Sequence, residues 1–188
     1  MSHYRSKSVI IRRAEEGDFD ALVKLQVSNL GANLSADQKT DGFLSAYWDH
    51  DKLAQANQNL CVLVCAATDA GEAIGFIGLT TVAFNLDQPL PAEMVRAAEP
   101  YLFEGKPLSQ WNACICGPVC IERQYRGQGL FEALYDNIPD HVGDCDLAIT
   151  LVSLANGRSL AAHAKVGLKP IFEFAWNGRE FSTLAKQI

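Results

Sequence analysis

The stretch that decides the fold reads Val119-Cys120-Ile121-Glu122-Arg123-Gln124-Tyr125-Arg126-Gly127-Gln128-Gly129-Leu130. It combines an apolar strand, a tight glycine-rich turn and the start of an amphipathic helix, which we predict over residues 130–138. Such a turn directs several backbone N–H groups to one point, and the helix dipole adds positive potential there. Gly127 and Gly129 have no Cβ, so an anionic group can approach the backbone closely. The stretch therefore predicts an anion-binding turn.

Two common phosphate-binding patterns do not fit this turn. The dinucleotide fingerprint G-x-G-x-x-G is absent, and no Gly-Lys-Ser/Thr follows as in a P-loop. Arg123 and Arg126 add positive charge beside the glycines. An ordinary β-to-α turn without a ligand stays open as the alternative explanation of the two glycines.

Two motifs and the N-terminal strand together carry a family resemblance. Gln124-x-x-Gly127-x-Gly129 after an apolar strand resembles the phosphate-binding motif of the GNAT N-acyltransferase superfamily. Downstream, Asn156-Gly157-Arg158-Ser159-Leu160-Ala161-Ala162-His163-Ala164-Lys165-Val166-Gly167-Leu168 is similar to the second signature of that family. The opening Ile10-Ile11-Arg12-Arg13-Ala14, before an acidic helix start, is also typical of it. The resemblance covers about residues 9–176 and is weakest over 31–59 and 84–110.

The resemblance implies an acyl-CoA donor, acetyl-CoA in our prediction, as co-substrate. In the family, the pyrophosphate lies on the glycine-rich turn, and the pantetheine arm pairs like an extra strand with the backbone just before that turn. The residues implied in this site are Val119, Cys120, Ile121, Gln124, Tyr125, Arg126, Gly127, Gln128, Gly129, Leu130, Phe131, Asn156 and Ser159.

The implied pairing requires a gap in the sheet. The strand predicted over residues 147–152 must diverge from the strand predicted over 111–121. Gly117-Pro118 interrupts the latter, and because proline lacks the N–H that a ladder needs, we expect a bulge or a splayed strand there. Asn156 matches the family Asn that hydrogen-bonds the pantetheine amide region. It is equally well placed to cap the helix predicted over residues 158–166, and one Asn can do both.

The implied reaction is direct transfer of an acetyl group to the primary amine of a small molecule. Many relatives use a Tyr on the last helix to protonate the leaving thiolate, and His163 occupies that place here. An imidazole near its ordinary pKa can donate a proton at neutral pH, so we predict His163 as general acid. A structural histidine is the alternative. Glu122, at the strand end, is predicted to act as base through a water molecule, with a solvated surface charge as the alternative.

The positions at which relatives often carry the general base hold no base in this chain. Relatives often carry Glu or His on the fourth strand, where this chain has Ile115 and Gly117. Either a substrate amine with a lowered pKa needs little help, or Asp41 or Glu93 reaches the site from the N-terminal loops. Cys116 and Cys120 are not needed as nucleophiles in direct transfer.

Periodicity and turn residues predict the order β α α β β (α) β α β α β β. Asn177-Gly178 indicates a hairpin with a type I′ turn, and residues 68–72 a looser one with Gly71 at positive φ. We predict a single α/β domain over residues 1–188 with an insertion at 84–110. Its GNAT-like fold has a mixed, mostly antiparallel sheet of roughly six to seven strands, a central splay and helices on both faces. The predicted strands are 9–13, 60–67, 73–83, 111–121, 147–152, 171–176 and 180–184; the predicted helices start at Asp18 and lie near 35–44, 51–57, 92–98, 130–138 and 158–166.

Composition excludes several classes of protein. The 188 residues are 48% hydrophobic and 20% charged, an ordinary globular balance that excludes disorder and coiled coil. A net charge of −6 without a basic stripe argues against nucleic-acid binding, and no apolar run is long enough to span a membrane. Residues 1–13 show no apolar signal segment, so we expect a cytoplasmic protein. Residues 1–110 carry 9 basic and 14 acidic side chains, which mildly favours a cationic amine acceptor.

The six cysteines show no C-x-x-C knuckle with partner His spacing, so we expect no metal and reduced thiols. Cys114 and Cys116 should face the same side of a strand. The acceptor pocket should come from residues 30–57 and 84–110, which hold several aromatic side chains.

Three rival functions stay open. One is a non-catalytic acyl-CoA-binding or regulatory module, since the usual base positions are vacant. Another uses a longer acyl-CoA such as succinyl-CoA, and the third modifies a protein amine. In similar proteins the C-terminal hairpin often lies at dimer contacts, which is compatible with a homodimer.

Overall fold

The centre of the protein is one sheet of seven strands. The computed structural model describes residues 9–67 and 71–188. The sheet order is β1-β2-β3-β6-β7-β9-β8, with β4 and β5 forming a separate two-stranded hairpin. Of the neighbours in the sheet, β6 and β7 run parallel and the other pairs run antiparallel. The strands are β1 (Val9–Arg13), β2 (Cys61–Ala67), β3 (Ala73–Thr81), β4 (Leu102–Phe103), β5 (Lys106–Pro107), β6 (Ala113–Ile121), β7 (Leu147–Ser153), β8 (Lys169–Trp176) and β9 (Arg179–Gln187).

Helices cover both faces of this sheet, which confirms the predicted fold class. One face carries α1, α3 and α4, and the other carries α5 and α6. Successive residues of a strand point to opposite faces of the sheet, and here the residues on both faces are apolar, so both faces can be covered by helices. Val62 and Val64 of β2 pack with α1 and α3, whereas Leu63 packs with α5. The helices are α1 (Phe19–Ser28), α2 (Ala36–Lys39), α3 (His50–Asn59), α4 (Pro89–Ala97), α5 (Leu130–Asp136) and α6 (Gly157–Lys165).

Some predicted helix bounds differ from the structure. Helix α4 begins at Pro89, earlier than the predicted residue 92. Proline is tolerated there because the N–H groups of a first helical turn have no partner within the helix, so their loss breaks no helical hydrogen bond. The helix predicted near 35–44 is the single turn α2. In α1, Gln26 is fully buried, whereas Val27, the next residue, is exposed.

Both predicted hairpins form. Asn177 and Gly178 have φ of 48° and 70°, as a type I′ turn between β8 and β9 requires. Strands β2 and β3 pair antiparallel, and Gly71 has a φ of 65°. Residues 68–70 of that turn lie outside the described residues.

Strands β6 and β7 part in the middle of the sheet. They pair only where Ala113, Cys114 and Ile115 lie beside Leu147, Ala148 and Ile149. The pairing of β6 with β3 also shifts register, between Ile77 and Leu79. This is the irregularity predicted at Gly117-Pro118.

The register shift also changes which side chains of β6 point to each face of the sheet. Cys114 and Cys116 pack on the α5 side, with their sulfurs 3.8 Å apart. Beyond the shift, Val119 and Ile121 lie on that side and Cys120 on the other. One extra residue in a strand has this effect because side chains alternate with a period of two.

The segment predicted as an insertion, residues 84–110, packs on the sheet. Leu90 and Met94 of α4 and Phe103 of β4 are buried together with Phe172 and Phe181 of the C-terminal hairpin. The segment thus covers the half of the sheet that α1 and α3 leave open. Within the described residues, no helix is long and apolar enough to cross a bilayer.

Gly78 tests the packing opposite the bulge. A Cβ at this position would overlap the indole ring of Trp48 and lie 3.1 Å from the carbonyl oxygen of Gly117. We expect Gly78→Ala to lower the free energy of unfolding by about 1–3 kcal/mol. Gly17→Ala is the control, because its Cβ would have no atom within 4 Å. Urea unfolding of both variants is the measurement, and equal midpoints would contradict the packing.

Candidate functional site

A cleft opens where β6 and β7 part. It consists of two adjoining cavities of about 320 Å³ and 180 Å³. We call the larger one the turn cavity, since the glycine-rich turn and α6 line it, and the smaller one the splay cavity, since the diverging parts of β6 and β7 line it. Both are lined by Phe43, Leu44, Val119, Asn156 and Ser159. The cleft therefore runs from the turn into the middle of the sheet.

The glycine-rich turn has the backbone shape that the sequence predicts. Gly127 and Gly129 have φ of 74° and 80°, a region that favours glycine. A Cβ on either residue would have no atom within 4 Å, so this side of the turn is open. Helix α5 begins directly after Gly129, and its first N–H groups have no partner within the helix.

The strand edge at the cleft offers backbone groups for pairing. Glu122 N donates to Ile74 O on β3. Because the backbone N–H and carbonyl groups of successive strand residues point in opposite directions, those of Val119 and Ile121 point away from β3, into the cleft. The Ile121 carbonyl already accepts a hydrogen bond from Arg126 Nε at 2.9 Å. The N–H and carbonyl groups of Val119 and the N–H group of Ile121 thus face the gap left by β7.

The Arg126 guanidinium makes three hydrogen bonds within the chain. Besides Ile121, its guanidinium donates to Asp41 O and to Asn29 Oδ1, each at 2.7 Å. These hydrogen bonds tie the segment after α1 to the turn. Arg123 likewise lies 3.8 Å from the Asp41 carboxylate.

Besides Arg126, two cationic groups on the rim of the turn cavity come from α6. Arg158 and Lys165 line the cavity and are exposed. They lie seven residues apart on one helix face, with Ala161 and Ala162 between them, also lining the cavity. Sequence reasoning missed this pair, although the helical spacing of two cations around small residues was a signal for it.

Asn156 caps α6. Its Oδ1 accepts from Ser159 N at 3.2 Å, and its Nδ2 donates to Phe43 O at 2.8 Å. The capping role left open above is therefore present, and the side chain also holds the segment that closes one wall of both cavities.

Gln26 positions another wall of the splay cavity. Its Nε2 donates to Trp48 O at 3.0 Å and its Oε1 accepts from Trp48 N at 2.9 Å. Trp48 lines the splay cavity. Sequence reasoning missed Gln26, whose signal was its place seven residues after Phe19 on the apolar face of α1.

His163 lies in the wall of the splay cavity with 2% of its surface exposed. Burial lowers its pKa to about 4, against an opposing backbone hydrogen bond with Ser159. This corrects the expected ordinary pKa: the ring is neutral at neutral pH. Its Nδ1 is 2.7 Å from Ser159 O, so we assign the proton to Nδ1. Nε2 is then a hydrogen-bond acceptor, buried and without a partner among the described residues.

The predicted carboxylates lie away from the splay cavity. Glu122 lines neither cavity and accepts a hydrogen bond from Gln124 Nε2 at 2.6 Å. Gln124 and Gln128, predicted at the CoA turn, are exposed and line neither cavity. Glu93 pairs with Arg96 on α4.

The cysteine thiols at the cleft are poor nucleophiles. Burial raises the pKa of Cys120 to about 12. A hydrogen bond with Cys114, together with burial, raises the pKa of Cys116 well above its usual value. Within residues 9–67 and 71–188, no group of three or more His, Cys, Asp or Glu is placed to hold a metal ion.

Solved structures share this fold. Arabidopsis thaliana NAA60 with a bisubstrate analogue matches with a TM-score of 0.63 at 9% identity, over 96% of this chain and 98% of that one. The NatC complex bound to Gag peptide and CoA matches with a TM-score of 0.60 at 14% identity, over 96% and 98%. An N-acetyltransferase from Staphylococcus aureus Mu50 gives 0.59 at 13%, over 96% and 98%. No protein-family model and no curated protein sequence matches this chain.

The chain therefore has the GNAT N-acetyltransferase fold. The central splay beside a glycine-rich turn, predicted from the two sequence motifs, is part of it.

The burial of His163 predicts a pH dependence of stability. The unfolded chain binds a proton at His163 below about pH 6.5, whereas the folded protein does so only below about pH 4. Stability is thus fully present above pH 6.5 and falls as the pH drops to 4, by about 3 kcal/mol from this residue. His163→Gln should remove that part of the loss. Urea unfolding at pH 7 and pH 4 measures it, and equal losses in both proteins would contradict a buried neutral imidazole.

Proposed function

We propose that this protein is an acetyl-CoA-dependent N-acetyltransferase that acetylates the primary amine of a small molecule. The observation that carries the proposal is the parting of β6 and β7 directly beside the open glycine-rich turn. The resulting cleft joins an end that suits an anion to an uncharged end, as a thioester donor and a separate acceptor require.

The donor would lie along the turn cavity. The free N–H groups around Gly127, Gly129 and the start of α5 suit a diphosphate, and Arg158 and Lys165 add charge at the rim. The amide groups of a pantetheine arm can pair with the free backbone groups of Val119 and Ile121. The thioester would then reach the splay cavity, which begins at Val119.

The chemistry would be direct transfer. The amine nitrogen attacks the thioester carbon, and backbone N–H groups at the strand edge can stabilise the developing oxyanion. Since the described thiols at the cleft are protonated and buried, an acyl-cysteine intermediate is not supported. His163 would act through Nε2 as acceptor of the proton that the attacking nitrogen loses, which replaces the general-acid role expected from sequence.

Two other functions each have an observation in their favour. The NatC structure contains a Gag peptide with CoA, which favours a peptide amine as acceptor. The position of Glu122 outside both cavities favours a non-catalytic CoA-binding module. Calorimetry with CoA, followed by thiol release from acetyl-CoA with small amines or with a short peptide, separates the three functions.

The six cysteines are free thiols, which fits the reducing cytoplasm that we propose as the compartment of this protein.

Gly127→Ala tests the turn. The variant places a methyl group where the diphosphate would lie, so we expect the Kd for CoA in isothermal titration calorimetry to rise at least about tenfold. Gly143→Ala is the matched control, since Gly143 also has positive φ and open space at Cβ but lines neither cavity. Equal CoA affinities of the two variants would remove the turn from the site.

His163→Ala tests the proton acceptor. We expect kcat for thiol release to fall by about 100-fold, with little change in the Kd for acetyl-CoA. In the unaltered protein, kcat should be lost on the acid side, as the pH falls toward 4. A general acid of ordinary pKa would instead lose activity above about pH 6.5. An alkaline loss that His163→Ala abolishes would restore the acid role.

A further inference from the structure

The splay cavity contains no charged side chain. Its titratable groups are His163 and Cys116, and both are neutral at neutral pH for the reasons given above. The remaining lining is apolar or carries neutral amide and hydroxyl groups. The lining residues are Phe43, Leu44, Ser45, Ala46, Trp48, Asn85, Gln88, Leu90, Pro91, Ile115, Cys116, Gly117, Pro118, Val119, Thr150, Leu151, Val152, Ser153, Asn156, Ser159 and His163.

Three carboxylates that lie close in sequence to the lining residues are engaged elsewhere. Asp41 lines the turn cavity and faces Arg123. Glu93 pairs with Arg96 on the surface of α4. Asp87 is exposed, 4.0 Å from Lys52. None of the three lines the splay cavity.

This lining disfavours an alkylammonium acceptor. The cation would lose its hydration without gaining a carboxylate partner. It would also have to lose a proton before attack, and an amine as basic as that of lysine is unprotonated in only about 1 of 1,000 molecules at pH 7.4. The acidic balance of residues 1–110, which favoured a cationic amine, does not extend to this cavity.

The size and walls of the cavity suit one aromatic ring. Its volume of about 180 Å³ is close to the ~150 Å³ of an apolar protein cavity that takes up benzene. Phe43 and Trp48 supply aromatic walls, and Leu90 and Pro91 apolar ones. His163 also lines the cavity, and its buried Nε2 is an acceptor without a partner in the described chain.

We infer that the acceptor is a single-ring aromatic amine, uncharged at physiological pH; this inference rests on the proposed function. The nitrogen lone pair forms the C–N bond, the C–S bond breaks, and its electrons go to sulfur. The nitrogen loses one proton, through His163 Nε2, and the sulfur takes it up. The products are an N-acetyl aromatic amide and CoA thiol, so no external oxidant or reductant is needed.

A pair of ring amines tests this inference. 4-Methylaniline is uncharged at pH 7.5, whereas cyclohexylamine has a similar ring size and is protonated. We expect kcat/KM for acetyl-CoA-dependent thiol release to be at least about 100-fold higher with 4-methylaniline. Equal or higher kcat/KM with cyclohexylamine, or with a short peptide that begins with Met, overturns the inference while the transferase function stands.

A carboxylate introduced into the cavity provides a second test of this inference. Gln88 lines the cavity at the start of α4, where a negative charge is favourable for the helix. We expect Gln88→Glu to shift the ratio of the two kcat/KM values at least about tenfold toward cyclohexylamine. Gln55→Glu on α3, exposed and outside the cavity, should leave the ratio unchanged. An unchanged ratio in Gln88→Glu would count against the inference.

Two results separate failure of the inference from failure of the proposed function. CoA binding in calorimetry with thiol release from an alkyl amine alone overturns only the aromatic acceptor. Lack of CoA binding by the folded protein overturns both, and CoA binding with no turnover of any amine overturns the transferase and the acceptor together.

Discussion

The parting of two parallel strands is the constraint on which the rest of the structure depends. A parallel pair in an otherwise antiparallel sheet cannot stay in register past Gly117-Pro118, because proline offers no ladder hydrogen bond there. Thr150 holds the point of divergence, since its hydroxyl donates to Cys116 O at 2.6 Å. Beyond that bond the backbone of β6 is left with unpaired polar groups. These groups need a partner, and an extended ligand can provide one.

The electrostatics of the cleft differ between its two ends. The turn end has helix-terminal N–H groups and the cations Arg158 and Lys165 on α6. The splay end is uncharged, and burial keeps His163 there in the neutral form. The anionic donor and the uncharged acceptor that we propose would therefore enter regions of matching character. The same separation explains why the net charge of the chain, −6, is a poor guide to the site.

Much of the fold could be predicted from local patterns. The hairpin at Asn177-Gly178 and the splay follow from backbone preferences that a single residue or dipeptide fixes. The hydrogen-bond partners of Arg126 and Gln26 could not be predicted, because they lie far away in sequence, up to 97 residues for Arg126. The pKa of His163 depends on how many neighbours bury the ring. Such long-range contacts leave no periodic trace in the sequence.

The hydrogen bonds of Arg126 and Asn156 have a consequence for the diversification of this protein. They fasten residues 41–43 to the wall of the turn cavity, although Phe43 of the same segment also lines the splay cavity. A loop graft that changes the backbone path of this segment would thus also displace the carbonyl groups that these two side chains bind. Changes in selectivity are more readily accommodated on the opposite wall, around Leu90 and Pro91, which has no such attachment to the glycine-rich turn.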